Sequence, residues 1–122
     1  MAEIKFEKDI RIAPEVAVAF PCIVGNAGVT ADENGEKWIL AGTPIGGSVN
    51  FLENRQTVLT VSSTNPQGVI LHDTRVDGGN ANATILVAGY VDLLKVEDSV
   101  NALLTTEVKS ALSEVVFMKG HK

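Results

Sequence analysis

The sequence predicts an α+β, β-rich fold: a small β-barrel or sandwich-like body with an extended N-terminal arm and a short C-terminal helix. Residues 3–12 alternate with period two, turn residues separate short β-branched runs through the middle, and the last third changes to a helical period. At 122 residues the chain fits one domain. We expect an arm over residues 1–14 and a single β-rich domain over residues 15–122.

The arm segment "EIKFEKDIRI" has the pattern of a strand with one apolar face, because every odd position is charged. Its apolar positions are Ile4, Phe6, Ile10 and Ile12. Such a strand is either an edge of its own sheet or a segment that pairs with another chain. Pro14 favours a separate arm, since proline interrupts ladder pairing where the arm meets the body.

The first part of the body predicts a hairpin. The apolar run "VAVAFPCIVG" and the short strand "KWILAG", which ends at Gly42, flank Asn34-Gly35, a tight-turn signal. Residues 43–55 are too rich in Gly, Pro and Asn to form a helix. We interpret Cys22, the one cysteine, as a small buried apolar residue.

Further strands follow in the middle of the chain. "QTVLTVSST" is β-branched and alternating, "NPQG" has the residues of a four-residue turn, and "GVILHD" continues as a strand. After a loop, "TRVDGGNAN", comes "ATILVAGYVDLL", the longest strand candidate. This strand is apolar on both faces, so we place it near the centre of the sheet or barrel.

The final third predicts a helix with Asp98 or Ser99 as its N-cap. Thr105-Thr106 has low helix propensity, which leaves open two short helices instead of one. Residues spaced by three and four form the apolar stripe: Val100, Leu103, Leu104, Val108, Ala111, Leu112 and Val115.

Composition and charge exclude several classes of function. Apolar residues make up 45% of the chain and charged residues 20%, as in a folded globular protein. The net charge is -5 and no basic run occurs, so we expect no nucleic-acid binding. No stretch approaches the roughly 20 apolar residues of a membrane span, and the N-terminal residues lack an apolar signal region. We therefore expect no membrane partner and synthesis in the cytoplasm.

The glycine-rich segment "KWILAGTPIGG" raises the question of a phosphate-binding loop. It has neither the spacing nor the lysine of a P-loop. Gly42, Gly46 and Gly47 also open onto further strand-like sequence, whereas a dinucleotide fingerprint leads into a helix. A turn that shapes the body is the better interpretation.

Reactive residues are sparse and poorly placed for catalysis. His72 and Asp73 are neighbours on a strand, so their side chains point to opposite faces and cannot orient each other. The acidic residues Asp77, Asp92 and Asp98 lie in turns and strand ends without a paired spacing. We expect no enzymatic activity, no metal and no cofactor; a hydrolase that uses His72 and Asp73 is the weakest hypothesis.

Three segments, "WILAGTPIGG", "GVILHDTRVDGGNANATILVAGYVDLLKV" and "ALSEVVFMKG", resemble the small head decoration and head fibre proteins of tailed bacteriophages. The matching parts follow the same order over about two-thirds of the chain: residues 41–47, 68–73, 78–82, 84–91 and 100–112. In layout the chain looks like the decoration protein of the phage lambda type.

That resemblance implies a role on the outer surface of the phage head. It implies a homotrimer whose N-terminal arm orders against the major capsid protein and stabilises the capsid, or a trimer that forms the base of a head fibre. Ile4, Phe6, Ile10 and Ile12 would then form the capsid-binding arm. The alternative from the residues alone is a small-molecule or glycan-binding β-domain with a pocket lined by residues 84–91 and 77–82.

Overall fold

The computed structural model describes residues 10–12, 17–47 and 49–118. Within these ranges the chain is strand-rich, with two short α-helices. In chain order the elements are β1 Arg11–Ile12, β2 Val18–Val24, β3 Trp38–Ile39, β4 Pro44–Gly46, β5 Val58–Val61, β6 Pro66–Ile70, β7 Thr74–Arg75, β8 Ala81–Asp92, α1 Asp98–Asn101, α2 Thr106–Ala111 and β9 Val115–Met118. A 3₁₀ turn at Leu93–Lys95 follows β8.

Five of these strands close into a small barrel. Around the ring, β8 pairs with β2, β2 with β5, β5 with β4, β4 with β6, and β6 returns to β8. The β2 and β5 strands run parallel, and the other four pairings are antiparallel. Closure leaves no unpaired edge within the ring, which confirms the barrel form of the predicted body.

The long strand β8 organises the molecule. The first part of β8 pairs with β2 and β6 as a member of the ring of strands. Its last part extends beyond the ring. There it pairs with β1 on one side, antiparallel, and with β9 on the other, parallel. The prediction that this segment is the longest strand and lies centrally is confirmed. The small strands β3 and β7 form a separate pair.

The long strand β8 contributes buried side chains to both core clusters. The barrel interior takes side chains from all five ring strands, including Cys22, Leu59 and Ile85. The other cluster includes Leu86 and Val91 of β8, which pack with the helices and β9. The prediction of Cys22 as a buried core residue is confirmed, with 6% of its surface exposed.

The hairpin predicted around Asn34-Gly35 is wrong. The turn itself is present: Gly35 has a φ of 78°, and the Asp32 N–H donates to the Glu36 carbonyl at 2.8 Å. The flanking strands nevertheless do not pair, because β2 lies between β5 and β8 while β3 pairs with β7. Closing the barrel determined the strand partners, and local turn chemistry did not.

The turn predicted at "NPQG" is displaced toward the N-terminus. Pro66 begins β6, and the reversal occurs earlier, where the Asn65 N–H donates to the Ser62 hydroxyl at 3.0 Å. A proline at the first position of a strand removes no essential ladder bond. Gly68 lies within the strand, where its missing side chain admits a close neighbour.

The C-terminal region forms two short helices, the alternative left open by the sequence. Thr105 caps α2, since its hydroxyl accepts a hydrogen bond from the Val108 N–H at 3.3 Å. The predicted N-cap of α1 is wrong by one or two residues, because Glu97 occupies that position. Val115, predicted on the helical stripe, lies instead on β9 and is buried beside β8.

Candidate functional site

Within the predicted arm, residues 1–14, Ile10 is held firmly by the body. Ile10 is fully buried and belongs to the core cluster that contains Val91 and Val96. Its carbonyl accepts a hydrogen bond from the Asp92 N–H at 2.7 Å, at the end of β8. Ile12 pairs through its backbone with Tyr90. Ile4 and Phe6 lie outside the described residues, so the capsid-binding role of the four residues stays a prediction.

The first and the last described residues of the chain meet at the same end of β8. Ile10 lies on one side of Asp92, and Met118 pairs with Asp92 on the other. This arrangement follows from strand direction, since β1 is antiparallel and β9 parallel to β8. The chain therefore enters and leaves the described body at one small region of surface.

Strand edges and apolar side chains are exposed in this region. Among the described residues, β1 and β9 each pair only with β8, which leaves one edge of each strand open. Tyr90 lies opposite Val116, and Met118 follows on the same face of β9. These three side chains, the apolar strip, are 41%, 44% and 42% exposed, respectively. Open edges beside exposed apolar residues are typical of an interaction surface.

The glycine-rich segment is a structural turn, as its backbone hydrogen bonds show. The Ala41 N–H donates to Asp73 Oδ1 at 2.7 Å, the Gly42 N–H to the Ile70 carbonyl at 2.8 Å, and the Thr43 N–H to the Leu40 carbonyl at 3.1 Å. A phosphate-binding loop must instead point its N–H groups at the ligand. Gly42 has a φ of 95° and packs against Val96, so the position requires glycine.

His72 and Asp73 each take part in a local hydrogen bond with a nearby turn or strand. Asp73 holds the turn before β4 through its bond from the Ala41 N–H. The His72 carbonyl accepts from the Thr74 hydroxyl at 3.0 Å, at the start of β7. Asp92, one of the acidic residues considered from the sequence, caps the 3₁₀ turn by accepting from the Leu94 N–H at 2.9 Å. Both carboxylates therefore stabilise the backbone locally.

Ionisation of the Cys22 thiol is unfavourable in the folded protein. Burial raises the pKa of this thiol from 9.0 to about 11, although the charge of Arg55 opposes the effect. Because the folded state favours the neutral thiol, its contribution to stability is fully present below pH 9.0 and is lost as the pH rises toward 11.

We expect Cys22 to react very slowly with a thiol reagent in the folded protein at about pH 8, and rapidly once the protein is unfolded in urea, since the thiolate is the reacting species. Absorbance after addition of Ellman's reagent measures both rates. The Cys22→Ala variant is the control: its stability should fall less steeply with pH above 9.0 than that of the wild type. Equal rates in the folded and unfolded states would contradict the burial of this thiol.

One cleft of the body lies away from the pocket predicted for a glycan-binding domain. A cleft of about 490 Å³ is lined by Thr30, Asp32, Asn34, Glu36, Trp38 and Leu40. Residues 77–82 line neither this cleft nor three others among the described residues, and residues 84–91 contribute only Val87, Gly89 and Tyr90 to two of those. Sequence reasoning missed the Trp38 cleft because the loop and the short strand β3 that line it carry no ligand-binding motif.

No family model, curated protein or solved structure matches this chain. In the part of the chain that the structure describes, no helix is long and apolar enough to cross a membrane. In that same part, no three His, Cys, Asp or Glu residues are grouped so that they could hold a metal ion. Any assignment of function therefore rests on the residues and geometry of this chain.

Proposed function

We propose that this protein is a capsid decoration protein of a tailed bacteriophage. It binds the major capsid protein on the outside of the head, acts as a homotrimer, and stabilises the capsid without catalysis, cofactor or nucleic acid. The observation that carries the proposal is the anchored root of the arm: Ile10 is fully buried and bonded to the end of β8. The residue pattern of segment 1–9 and the resemblance to decoration proteins point the same way.

An arm with this root suits a protein that joins neighbouring capsid subunits. Tension on the arm is transmitted to Ile10, whose side chain is enclosed by the core and whose backbone is bonded to Asp92. The preceding segment carries Ile4 and Phe6 between charged residues, a pattern that fits an added strand with one buried face. The apolar strip and the open edge of β9 offer a second contact surface next to the arm.

The free energy of binding favours an oligomer with several arms over a monomer with one. Each backbone hydrogen bond of an added strand contributes about 0.5–1.5 kcal/mol net, and apolar burial contributes about 25 cal/mol per Å². Ordering the arm costs about 1–2 kcal/mol per residue in backbone entropy, so a single arm binds modestly. A trimer binds far more tightly, because the first bound arm raises the effective concentration of the other two.

Deleting residues 2–9 should abolish binding to the capsid while the folded body is retained. Purified protein would be sedimented with expanded empty phage capsids that lack their own decoration protein, and the pellet assayed for bound protein. We expect the full-length chain to sediment with the capsids and the shortened chain to stay in solution. The deletion starts at residue 2 and stops before Ile10, so that every core residue that the structure describes is kept.

The matched control deletes residues 119–122, which follow β9 directly in the chain. This variant should bind as the full-length chain does, and its solution mass should be three times that of one chain. If the protein lacking residues 2–9 sedimented as well as the full-length protein, the arm mechanism would be wrong. If neither the full-length chain nor the control bound, the decoration role itself would be contradicted, and a monomeric solution mass would contradict the trimer.

A further inference from the structure

Trp38 lines two clefts that share part of their lining. The first has a volume of about 490 Å³, and the second, of about 350 Å³, is lined mostly by apolar residues that include Val29, Val61 and Leu103. Thr30, Trp38 and Leu40 line both clefts. Each volume falls in the range of about 300–1,000 Å³ that is usual for small-molecule sites.

The indole of Trp38 is held in place by a chain of polar contacts. Its Nε1–H donates to Glu36 Oε1 at 3.1 Å, and Glu36 Oε2 lies 3.3 Å from Arg75 Nη1. Arg75 in turn donates twice to Asp77, at 2.6 Å and 3.1 Å. This bond from Arg75 holds the pKa of Asp77 below its ordinary value, so the carboxylate stays charged. A ring fixed in this way loses little conformational freedom when a ligand packs against it.

Polar groups with spare hydrogen-bonding capacity line the same cleft. Asp32 Oδ1 accepts from the backbone N–H groups of Asn34 and Glu36, at 2.9 Å and 3.0 Å. Asp32 Oδ2, the Asn34 side-chain amide and the Thr30 hydroxyl make no hydrogen bond to any residue that the structure describes. The cleft therefore offers an acceptor, an amide that both donates and accepts, and a hydroxyl that does the same.

These groups together fit a sugar better than other small ligands. A pyranose ring has an apolar C–H face that packs on an aromatic ring and a rim of hydroxyls that both donate and accept. The charge of Glu36 is balanced by Arg75, whereas Asp32 and the exposed Glu33 have no such partner among the described residues. Their negative charge disfavours an anionic sugar, so the chemistry selects a neutral one.

We propose that the Trp38 cleft binds a neutral hexose or N-acetylhexosamine unit of a glycan. The apolar face of the sugar packs on the Trp38 indole, and its hydroxyls bond to Asp32, Asn34 and Thr30. This site is lined by residues 30–40 of the body, and the proposal does not rest on the decoration role. A capsid that carried many copies would bind a glycan surface through many weak contacts at once.

Trp38 is the single tryptophan, so intrinsic fluorescence reports directly on the site. The full-length protein would be titrated with glucose, galactose, mannose, N-acetylglucosamine, N-acetylgalactosamine and the disaccharides of each. We expect a saturable change of emission with at least one of them. No saturable change with any of these sugars would overturn the proposal. A change with tetralysine but with none of the sugars would also overturn it, since the cleft would then be a site for cationic peptides.

Two substitutions test the polar contacts without disturbing the core. Asn34→Ala and Thr30→Val alter exposed side chains, and each should weaken sugar binding roughly tenfold because one hydrogen bond is lost. Asn82→Ala, an exposed amide on β8 outside the cleft, is the matched control and should bind as the wild type does. Unchanged affinity in both cleft variants would overturn the placement of the sugar against these residues.

Discussion

Gly46→Ala is expected to destroy or severely weaken the fold, whereas Gly47→Ala, one residue further on, should leave stability nearly unchanged. At Gly46 an added Cβ would overlap the Asn65 carbonyl oxygen and lie 2.9 Å from the Gln67 backbone nitrogen. These backbone atoms cannot move aside without breaking the β4–β6 ladder. At Gly47 the nearest atom to such a Cβ is Leu59 Cδ2 at 3.8 Å, an ordinary contact.

Urea unfolding followed by circular dichroism measures the difference between these variants. Gly46→Ala should lose more than about 4 kcal/mol of unfolding free energy or fail to fold, which is an exceptional effect for one methyl group. Gly47→Ala should lie within about 1 kcal/mol of the wild type, with a slight gain if the reduced freedom of the unfolded chain dominates. Equal stability of the two variants would contradict the close approach of β4 and β6.

Gly68 shows the same close approach on the neighbouring ring strand. A Cβ added there would lie 2.5 Å from the Leu86 carbonyl oxygen and 2.6 Å from Ile85 Cγ1. Gly46, which the sequence offered as part of a candidate phosphate loop, thus belongs with Gly68 to the positions where ring strands approach closely as the barrel closes. The close approach of neighbouring strands explains why glycine occupies both positions, without a bound ligand.

Strand positions could be predicted from the sequence, but strand partners could not. The β-branched, alternating runs around Leu59 and Val69 and the apolar run around Ile85 each form strands, because period and propensity act locally. Partners depend on contacts far apart in the chain: β5 and β6 are consecutive, yet β4 lies between them. A turn signal such as Asn34-Gly35 predicts where the chain reverses direction, but it does not predict which strands pair.

The two candidate sites show the same division between local patterns and distant contacts. The alternating pattern of residues 3–12 marked the arm, since a single amphipathic strand can be recognised without knowing its partner. The arm over residues 1–14 stays a prediction. The burial of Ile10 could not be predicted from the sequence, because it depends on Val91 and Val96, which lie far along the chain. The Trp38 cleft likewise needs Arg75 from a distant strand to fix the indole.

Ile10→Ala is expected to lower the free energy of unfolding by about 2–5 kcal/mol, the usual range for removing most of a fully buried Ile side chain. This is a large share of the about 5–15 kcal/mol that stabilises a typical domain. The matched control is Leu94→Ala, at a residue that is 45% exposed and follows closely after Asp92, the hydrogen-bond partner of Ile10. It should change stability by less than about 1 kcal/mol.

Deleting residues 2–9 should, by contrast, leave the unfolding free energy within about 1 kcal/mol of the wild type, because Ile10 is the first residue of the core that the structure describes. Chemical denaturation of the three variants and the wild type, read by circular dichroism, gives the comparison directly. A protein that tolerated Ile10→Ala as well as Leu94→Ala would place the root of the arm further along the chain, near the boundary at residue 14. If only Ile10→Ala greatly lowers the unfolding free energy, the root of the arm lies at Ile10. A force on an arm bound to a partner would then act on the core, because Ile10 belongs to the core.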